Sequence, residues 1–260
     1  MTSADRRETE IAELKEKVAQ LEKALIDSQS LCAVGELAGT TAHEFNNILT
    51  LTINYARMGR RHQDVGTRDE MFDKILEASN RAAKIVKVVL GLARNRKPGK
   101  EPTDLKELVE AVLLLLEREM TKYRIQVERR FEDAPLVLAN GNQIQQTLIN
   151  LLVNARQASP NGGIVVVKLR RCEDDPNYAE IVVRDHGTGI PKEKLPRVFD
   201  MFYSTKKGPD ATGKGGSGLG LSTCKRIIEE HAGKIRVESS VGKGTAFTIR
   251  LPVAKEENNG

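Results

Sequence analysis

Apolar residues follow two periods along the chain, and the change between them divides it into two regions. Over the first hundred residues they recur every three or four positions, which is typical of amphipathic helices. After Pro102, helical stretches are interspersed with short runs in which apolar and polar residues alternate, as in half-buried strands. The pattern therefore predicts a helical region followed by a unit of helices and strands.

The first thirty residues carry a heptad pattern, with Glu and Lys between the apolar positions. This pattern predicts a short parallel coiled coil, and hence a dimer, over residues 1–30. A single amphipathic helix packed on its own domain is the alternative. The register is interrupted between Ile26 and Ser30. The heptad residues are Ile11, Leu14, Val18, Leu21 and Leu25.

Two longer amphipathic helices are predicted to form a hairpin over residues 31–97. The first ends near Arg61, and a turn over residues 62–68 leads to the second. A hairpin cannot bury both apolar faces alone, so two copies are expected to form a dimeric four-helix bundle. The first stripe contains Val34, Ala38, Thr41, Phe45, Ile48, Thr52 and Tyr55, and the second contains Phe72, Ile75, Ser79, Ala82, Val86, Val89 and Ala93.

A linker over residues 98–102 leads into the second region, residues 103–254, which is followed by a polar tail over residues 255–260. Helices and a mixed or antiparallel sheet in one unit favour a two-layer α/β sandwich, so the fold class is α+β. Helices are predicted over 104–119, 142–159 and 225–231, and strands over 125–131, 136–138, 164–170, 179–184, 234–238 and 245–251.

Charge and cysteine content restrict the possible partners and compartment. The net charge is +5, but acidic and basic residues are interspersed and no basic face carries aromatic residues, so nucleic acid is not expected as a partner. Cys32, Cys172 and Cys224 lie far apart and resemble cytosolic thiols rather than metal ligands. Because no apolar run is long enough to span a membrane, we expect a cytoplasmic chain or a cytoplasmic fragment of a longer one.

The first candidate for chemistry is the histidine in the sequence His-Glu-Phe-Asn-Asn at residues 43–47. With Thr41 and Phe45 at flanking seam positions, His43 falls on the outward-facing side of its helix. Glu44 is placed to orient the ring or accept its proton while the other nitrogen attacks a phosphoryl group. Asn47, four residues on, shares the outward face and is placed to position a water molecule.

Two polar clusters in the second region are suited to a nucleotide. Asn150 and Asn154 are one helical turn apart, where amide oxygens can bind a hard cation; a solvated helix face is the alternative. Asp185 follows a strand and precedes Gly187 and Gly189. A buried acid there could accept a hydrogen bond from a purine amino group, with the glycines allowing close approach of the ring. A tight turn is the alternative.

A glycine-rich stretch over residues 208–220 provides backbone N–H groups that can bind phosphates. Two common motifs do not fit it. Gly215 stands where a P-loop requires Ser or Thr to hold magnesium. The spacing of Gly213, Gly215 and Gly218 fits a dinucleotide motif, but the stretch does not directly follow a strand in a βαβ unit.

The ordered motifs resemble those of two-component sensor histidine kinases over nearly the whole chain. Residues 42–49 resemble the H box of that family, and the second region is similar to the ATP-binding fold shared with gyrase, Hsp90 and MutL. The remaining matches are residues 146–158 with the N box, 183–191 with G1, 199–206 with the F box, 213–221 with G2 and 242–247 with G3.

The resemblance implies that ATP and Mg²⁺ bind in the second region, that Asp185 holds the adenine amino group and that Asn154 is a magnesium ligand. Residues 203–217 would form a lid over the γ-phosphate. Autophosphorylation would occur on His43, with Glu44 and Asn47 as further catalytic residues. The implied nucleotide-binding residues are Asn150, Asn154, Asp185, Gly187, Gly189, Lys206, Lys214, Gly216, Gly218, Leu219, Gly220 and Thr245.

The family further implies a homodimer that transfers the phosphoryl group to an Asp of a response-regulator receiver domain and also dephosphorylates that regulator. Two positions depart from the common pattern: Ile48 replaces a frequent Pro, and Gln157 replaces a frequent basic residue. Three alternatives share parts of the pattern: an ATP-driven chaperone-like machine, a non-catalytic dimeric scaffold, and a Ser/Thr kinase of the anti-sigma type. The last shares the ATP fold but lacks the helical hairpin.

Overall fold

A computed structural model describes residues 16–17, 45–93, 99–159, 162–204 and 218–254. The predicted coiled coil, apart from residues 16–17, lies outside these ranges, as do His43 and Glu44. Residues 205–217, which hold most of the expected lid, and the tail over residues 255–260 also lie outside them.

The two helices of the predicted hairpin are present. Helix α1 is described from residue 45 and ends at residue 61, as expected, and α2 spans Val65–Ala93. The connection is shorter than the predicted turn over residues 62–68, because α2 already begins at Val65. The carboxylate of Asp64 caps this helix by accepting hydrogen bonds from the backbone N–H and the hydroxyl of Thr67, both at 2.8 Å.

The buried side of α1 matches the part of the predicted stripe that the structure describes; Val34, Ala38 and Thr41 lie outside the described residues. Ile48 is buried, and Phe45, Thr52 and Tyr55 are partly buried. This spacing of three and four residues is that of a helix packed along one face.

The buried side of α2 differs from the prediction. Ile75 and Ala82 are partly buried as expected, but Phe72, Ser79 and Val86 are exposed. The most buried residues are instead Met71, Ile85 and Val88. The side chains of Val89 and Ala93 lie outside the described part.

The difference on α2 has a physical cause in the second region. Ile85 and Val88 belong to the same core cluster as Leu116 and Leu148, which lie on helices of the second region. Two ion pairs accompany this contact, Arg81 with Glu117 at 2.7 Å and Lys87 with Glu107 at 3.7 Å. The side of α2 buried within one chain is therefore set by its packing on the second region.

The second region is an α/β sandwich, as predicted. A five-stranded sheet has the order β2-β4-β5-β7-β6, in which β2 and β4 are parallel and the other pairs antiparallel. Helices α3, α4 and α5 pack against this sheet. The helices are α3 Leu105–Lys122, α4 Gly141–Ala158 and α5 Gly220–Glu230; the strands are β2 Ile125–Phe131, β4 Gly163–Arg171, β5 Tyr178–Asp185, β6 Lys234–Ser240 and β7 Gly244–Pro252.

Two elements were not expected from the sequence. Strand β1, Glu101–Thr103, pairs antiparallel with β3, Val137–Ala139, so part of the predicted linker over residues 98–102 is a strand. A 3₁₀ helix, Lys192–Arg197, follows the loop after β5. The predicted helical segment 225–231 lies in α5, which begins at Gly220 and has His231 as its C-cap. The division of the chain into domains stays a prediction.

Side-chain caps explain where two helices of the sandwich begin. The Asp104 carboxylate accepts hydrogen bonds from the N–H groups of Lys106 and Glu107, at 2.7 and 3.2 Å, and so starts α3. The Asn140 side chain accepts one from the N–H of Gln143 at the start of α4. Such caps satisfy N–H groups that the helix leaves unpaired, and each stabilises a helix by about 1 kcal/mol.

No helix in the described parts of the chain has both the length and the low polarity that crossing a bilayer requires.

A buried histidine joins the end of α5 to the start of α4. His231 accepts a hydrogen bond at Nε2 from the backbone N–H of Asn140, at 2.9 Å. Its Nδ1 is 2.7 Å from the carbonyl of Ile227 and must therefore donate. These two contacts define the neutral form with the proton on Nδ1. Burial lowers the pKa of His231, and nearby Lys100 acts in the same direction.

We expect the free energy of unfolding to fall as the pH drops below about 6.5, because the unfolded chain protonates His231 at a higher pH than the folded chain does. The loss is about 1.4 kcal/mol for each unit by which folding lowers the pKa. Urea unfolding between pH 7.5 and 5 measures it. His231→Gln should flatten the dependence, whereas exposed His62→Gln should not. Equal pH slopes in the wild-type chain and His231→Gln would contradict this assignment.

Candidate functional site

Asp185 is the last residue of β5, and its carboxylate is buried. The Oδ1 atom accepts hydrogen bonds from the N–H of Gly187 at 2.9 Å and of Thr245 at 3.1 Å. Among the described residues these are the hydrogen bonds to its side chain, so Oδ2 is the oxygen available to a donor on a ligand. Burial raises the pKa of Asp185, and the two backbone hydrogen bonds partly oppose that rise.

Gly187 and Gly189 stand where the backbone approaches other elements too closely for a side chain. A Cβ on Gly187 would lie 2.0 Å from the carbonyl oxygen of Ala158, and one on Gly189 would lie 2.1 Å from that of Ser240. Gly189 also has φ +69°, which favours glycine. The loop after β5 is thus held against the end of α4 and the end of β6.

Thr245 approaches Asp185 from β7. Its N–H donates to the carboxylate, and its hydroxyl lies 2.9 Å from the hydroxyl of Ser239. Ser239 in turn accepts a hydrogen bond from the N–H of Ile190 at 2.8 Å. The predicted residues Asp185, Gly187, Gly189 and Thr245 therefore form one cluster.

Helix α4 carries Asn150 and Asn154 one turn apart, and both are half-buried. The Asn150 amide points toward the carbonyl oxygen of Gly220, with a long Nδ2 to O distance of 3.5 Å. Gln157, a further turn along, is exposed. Asn150 is thereby placed beside the start of α5.

The start of α5 has the geometry of a phosphate-binding helix end. Gly218 has φ +70°, and a Cβ there would lie 2.5 Å from the backbone carbon of Phe202. Leu219 is buried and precedes the helix without a side-chain cap. The first N–H groups of an uncapped helix attract anions because they are unpaired and lie at the positive end of the dipole.

The remaining predicted residues either lie on the hairpin or fall outside the described part of the chain. Asn47 is exposed on α1, in the hairpin. His43, Glu44, Lys206, Lys214 and Gly216 lie outside the described residues.

The donor set of the described residues fits a nucleotide better than a metal held by protein alone. No group of three or more His, Cys, Asp and Glu side chains in the described part could hold a metal ion. A cation at Asn154 would therefore need phosphate oxygens or water among its ligands. Asp185, the two close-packed glycines and the uncapped end of α5 are suited to a purine amino group and phosphates.

Two contributors to the cluster were not identified from the sequence. Ser239 is one of several serines, and its hydroxyl role depends on the pairing of β6 with β7. The carbonyl of Ala158 accepts a hydrogen bond from the N–H of Thr188 at 3.0 Å, a backbone contact that no side-chain pattern marks. The glycine spacing indicated that the backbone approaches another group closely, but it did not indicate which residue that group belongs to.

Comparisons with known proteins identify the family of the second region. The family model for histidine kinase-, DNA gyrase B- and HSP90-like ATPases matches residues 139–255. Sporulation kinase C of Bacillus subtilis is 32% identical over 259 residues, which cover 98% of this chain and 56% of that protein. The chain thus spans about half, or less, of the length of the curated relatives it matches.

Solved structures give the same result. A mycobacterial sensor histidine kinase, MprB, matches with 32% identity and a TM-score of 0.51, over 59% of this chain and 97% of that one. The histidine kinase ThkA, in a crystal structure with the response regulator protein TrrA, matches with 26% identity and a TM-score of 0.51, over 93% of this chain and 68% of that one. The chain accordingly belongs to the two-component sensor histidine kinases, and its second region is the ATP-binding domain of that family.

Proposed function

We propose that the chain transfers the γ-phosphoryl group of ATP to His43 and then to an Asp of a response-regulator receiver domain. The observation that carries this proposal is the buried Asp185 carboxylate, held at Oδ1 by Gly187 and Thr245. Gly187 and Gly189 let the loop that carries it pack directly on the backbones of Ala158 and Ser240. The relatives are named kinases, which supports phosphoryl transfer rather than nucleotide binding alone.

In this proposal Asp185 selects adenine by accepting a hydrogen bond from its amino group at Oδ2. A buried carboxylate makes a stronger hydrogen bond than an exposed one because little water competes for it. The first N–H groups of α5, with Gly218, Leu219 and Gly220, hold phosphate oxygens.

Magnesium would be bound through the amide oxygen of Asn154, with Asn150 beside it, and would neutralise charge on the phosphates. Lys206, Lys214 and Gly216 complete the phosphate end. They lie outside the described residues, so their roles rest on the motif match.

His43 would supply the attacking nitrogen, with Glu44 as the base or orienting acid. Phosphoryl transfer depends mainly on positioning and charge neutralisation, so the ATP-binding domain must bring the γ-phosphate to this ring. The cytoplasmic side of a membrane, or the cytoplasm itself, is the compartment we propose, because ATP and receiver domains are available there.

The alternatives explain less. An ATP-driven chaperone-like machine or an anti-sigma type kinase would share the ATP-binding domain but would not need a hairpin with the His-Glu sequence at residues 43–44. A non-catalytic scaffold would not need the buried Asp185 carboxylate, whose charge burial makes costly.

A homodimer is part of the proposal because the hairpin leaves an apolar stripe exposed. Along α2, positions 72, 76, 79, 83, 86 and 90 follow spacings of four and three, the seam of a packed helix. Phe72 and Leu76 on this stripe are 55% and 60% exposed, although both are large and apolar. A second copy that covers the stripe would complete the predicted four-helix bundle.

The first prediction tests phosphorylation at His43. Incubation with γ-labelled ATP and Mg²⁺ should give label that survives alkali and is lost in acid. His43→Gln should abolish that label, because the attacking nitrogen is gone. His62→Gln, another hairpin histidine, should keep it. Acid-labile label on His43→Gln would remove His43 from the mechanism.

The second prediction concerns adenine recognition. In Asp185→Asn the two backbone N–H groups would keep the oxygen at its place, so the amide nitrogen would face the adenine amino group, donor against donor. Calorimetry should show ATP affinity lower by about 100-fold, the scale of a hydrogen bond to a charged group.

The same variant should unfold at a higher temperature than the wild-type chain without nucleotide. The raised pKa of Asp185 means that its charge opposes folding at neutral pH, and Asn carries none. Glu193→Gln, at an exposed position, is the control and should leave both the ATP affinity and the unfolding temperature unchanged. Unaltered ATP affinity in Asp185→Asn would contradict the assigned role.

A third prediction tests regulator dephosphorylation, for which Asn47 is exposed on α1. With a phosphorylated receiver domain, Asn47→Ala should slow phosphate release by about 100-fold, the lower range for a group that acts on the attacking water. It should still acquire label on His43. Neighbouring Asn46→Ala, also exposed, is the control. Normal release by Asn47→Ala would exclude the role.

A fourth prediction tests the dimer. Leu76→Glu places a charge in the proposed interface and should convert a dimer into monomers in sedimentation experiments, because burying a lone carboxylate is costly. Asp73→Ala, one position outside the stripe, should remain dimeric. A monomeric wild-type chain, or a dimeric Leu76→Glu chain, would contradict the proposed interface.

A further inference from the structure

Arg156 carries a charge that is nearly fully buried near the end of α4. Its side chain is 6% exposed, and Nη1 lies 3.1 Å from Oε1 of Glu119 on α3, itself 16% exposed. The guanidinium also stacks over the ring of Tyr123, 4.5 Å from its centre. Among the described residues, the Nε atom of Arg156 has no hydrogen-bond partner.

Stability alone does not account for this arginine. A buried ion pair loses in desolvation much of what it gains in attraction, and apolar residues of similar volume are often as stable. The unpaired Nε adds a further cost. Apolar residues at both position 156 and position 119 would fill the same space without these penalties. What the ion pair provides is a fixed geometry, because a planar guanidinium accepts few orientations.

The side chain of Arg156 does not belong to the nucleotide-facing side of α4. Asn150 and Asn154 are separated by four residues and share a face. Arg156, two residues after Asn154, lies on the opposite side, toward α3. Any effect on the nucleotide must therefore pass through the backbone of α4.

The last turn of α4 is the surface on which the Asp185 loop rests. The Ala158 carbonyl accepts the N–H of Thr188 at 3.0 Å. Gly187 packs so closely that a Cβ on it would lie 2.0 Å from the same oxygen. Gly187 in turn donates to Asp185 Oδ1 at 2.9 Å. Ala158, whose carbonyl begins this series of contacts, is two positions after Arg156 in the sequence.

We propose that Arg156 is a positioning residue for adenine recognition: by joining α4 to α3 through Glu119, it fixes the helix end that sets the Asp185 loop. This role rests on the proposed function, because it explains what holds the ATP site in place. Arg156 touches no reacting atom in this assignment, and its effect is on which base the site accepts.

The test compares ATP and GTP affinity by calorimetry in Arg156→Met, Arg156→Lys and Glu119→Gln, each confirmed as folded by circular dichroism. A loop displaced from its place should weaken ATP binding about tenfold, the scale of one misaligned hydrogen bond to a charged group, with little change for GTP. The ratio of ATP to GTP affinity should therefore fall. The ratio should fall less in Arg156→Lys, which keeps the charge but not the stacking.

The matched control is Arg129→Met, which removes an exposed ion pair between β2 and Glu110 of α3. It should leave the ratio unchanged. A merely structural role for Arg156 would reduce the folded fraction and weaken both nucleotides alike, so an unchanged ratio in folded Arg156→Met and Glu119→Gln overturns the proposal. Should Arg156→Met not fold, Arg156→Lys and Glu119→Gln decide it. Wild-type protein that binds neither nucleotide would instead reject the ATP site itself.

Discussion

The structure of the site depends on the burial of one carboxylate. In the proposed role, Asp185 binds a ligand donor while it is shielded from water, and burial raises its pKa. Two backbone N–H groups from different elements, the loop after β5 and the start of β7, oppose that rise by binding Oδ1. The arrangement therefore requires β5 and β7 to be neighbours, which their antiparallel register provides.

That requirement explains why the glycines are where they are. Gly244 begins β7 with φ +86°, and a Cβ on it would lie 2.0 Å from the Asp185 carbonyl. Gly187 lets the opposite side of the loop touch α4. The backbone closes around the carboxylate from both sides, and side chains at these positions would prevent the two hydrogen bonds that hold it.

Much of the fold could be predicted from local patterns, and the cluster around Asp185 from the spacing of motifs. The alternation of apolar and polar residues predicted β2 over the same residues that form it. The motif spacing identified Asp185, Gly187 and Thr245, which the structure brings together. What could not be predicted depends on contacts distant in sequence. Strand β1 exists because β3 pairs with it, and nothing in three residues of a proline-containing segment signals a strand.

The hairpin shows the same limit more sharply, because α2 has apolar residues on two sides. Periodicity gives the spacing of a stripe but not the surface that will cover it. One side, with Ile85 and Val88, packs on the second region, and the other, with Phe72 and Leu76, is exposed in a single chain. The predicted stripe mixed residues from both sides, since each fits helical spacing.

The balance of forces between hairpin and ATP-binding domain bears on the proposed transfer to His43. The two ion pairs across that contact join exposed side chains, and such pairs contribute at most about 1 kcal/mol each. The apolar part includes Ile85 and Val88, and burying each such side chain contributes about 1.5–3 kcal/mol. These terms must also offset the entropy of fixing one domain on the other. This contact buries far fewer apolar side chains than the core of the sandwich does, so the proposed transfer to His43 would require the contact to rearrange but not the domain to unfold.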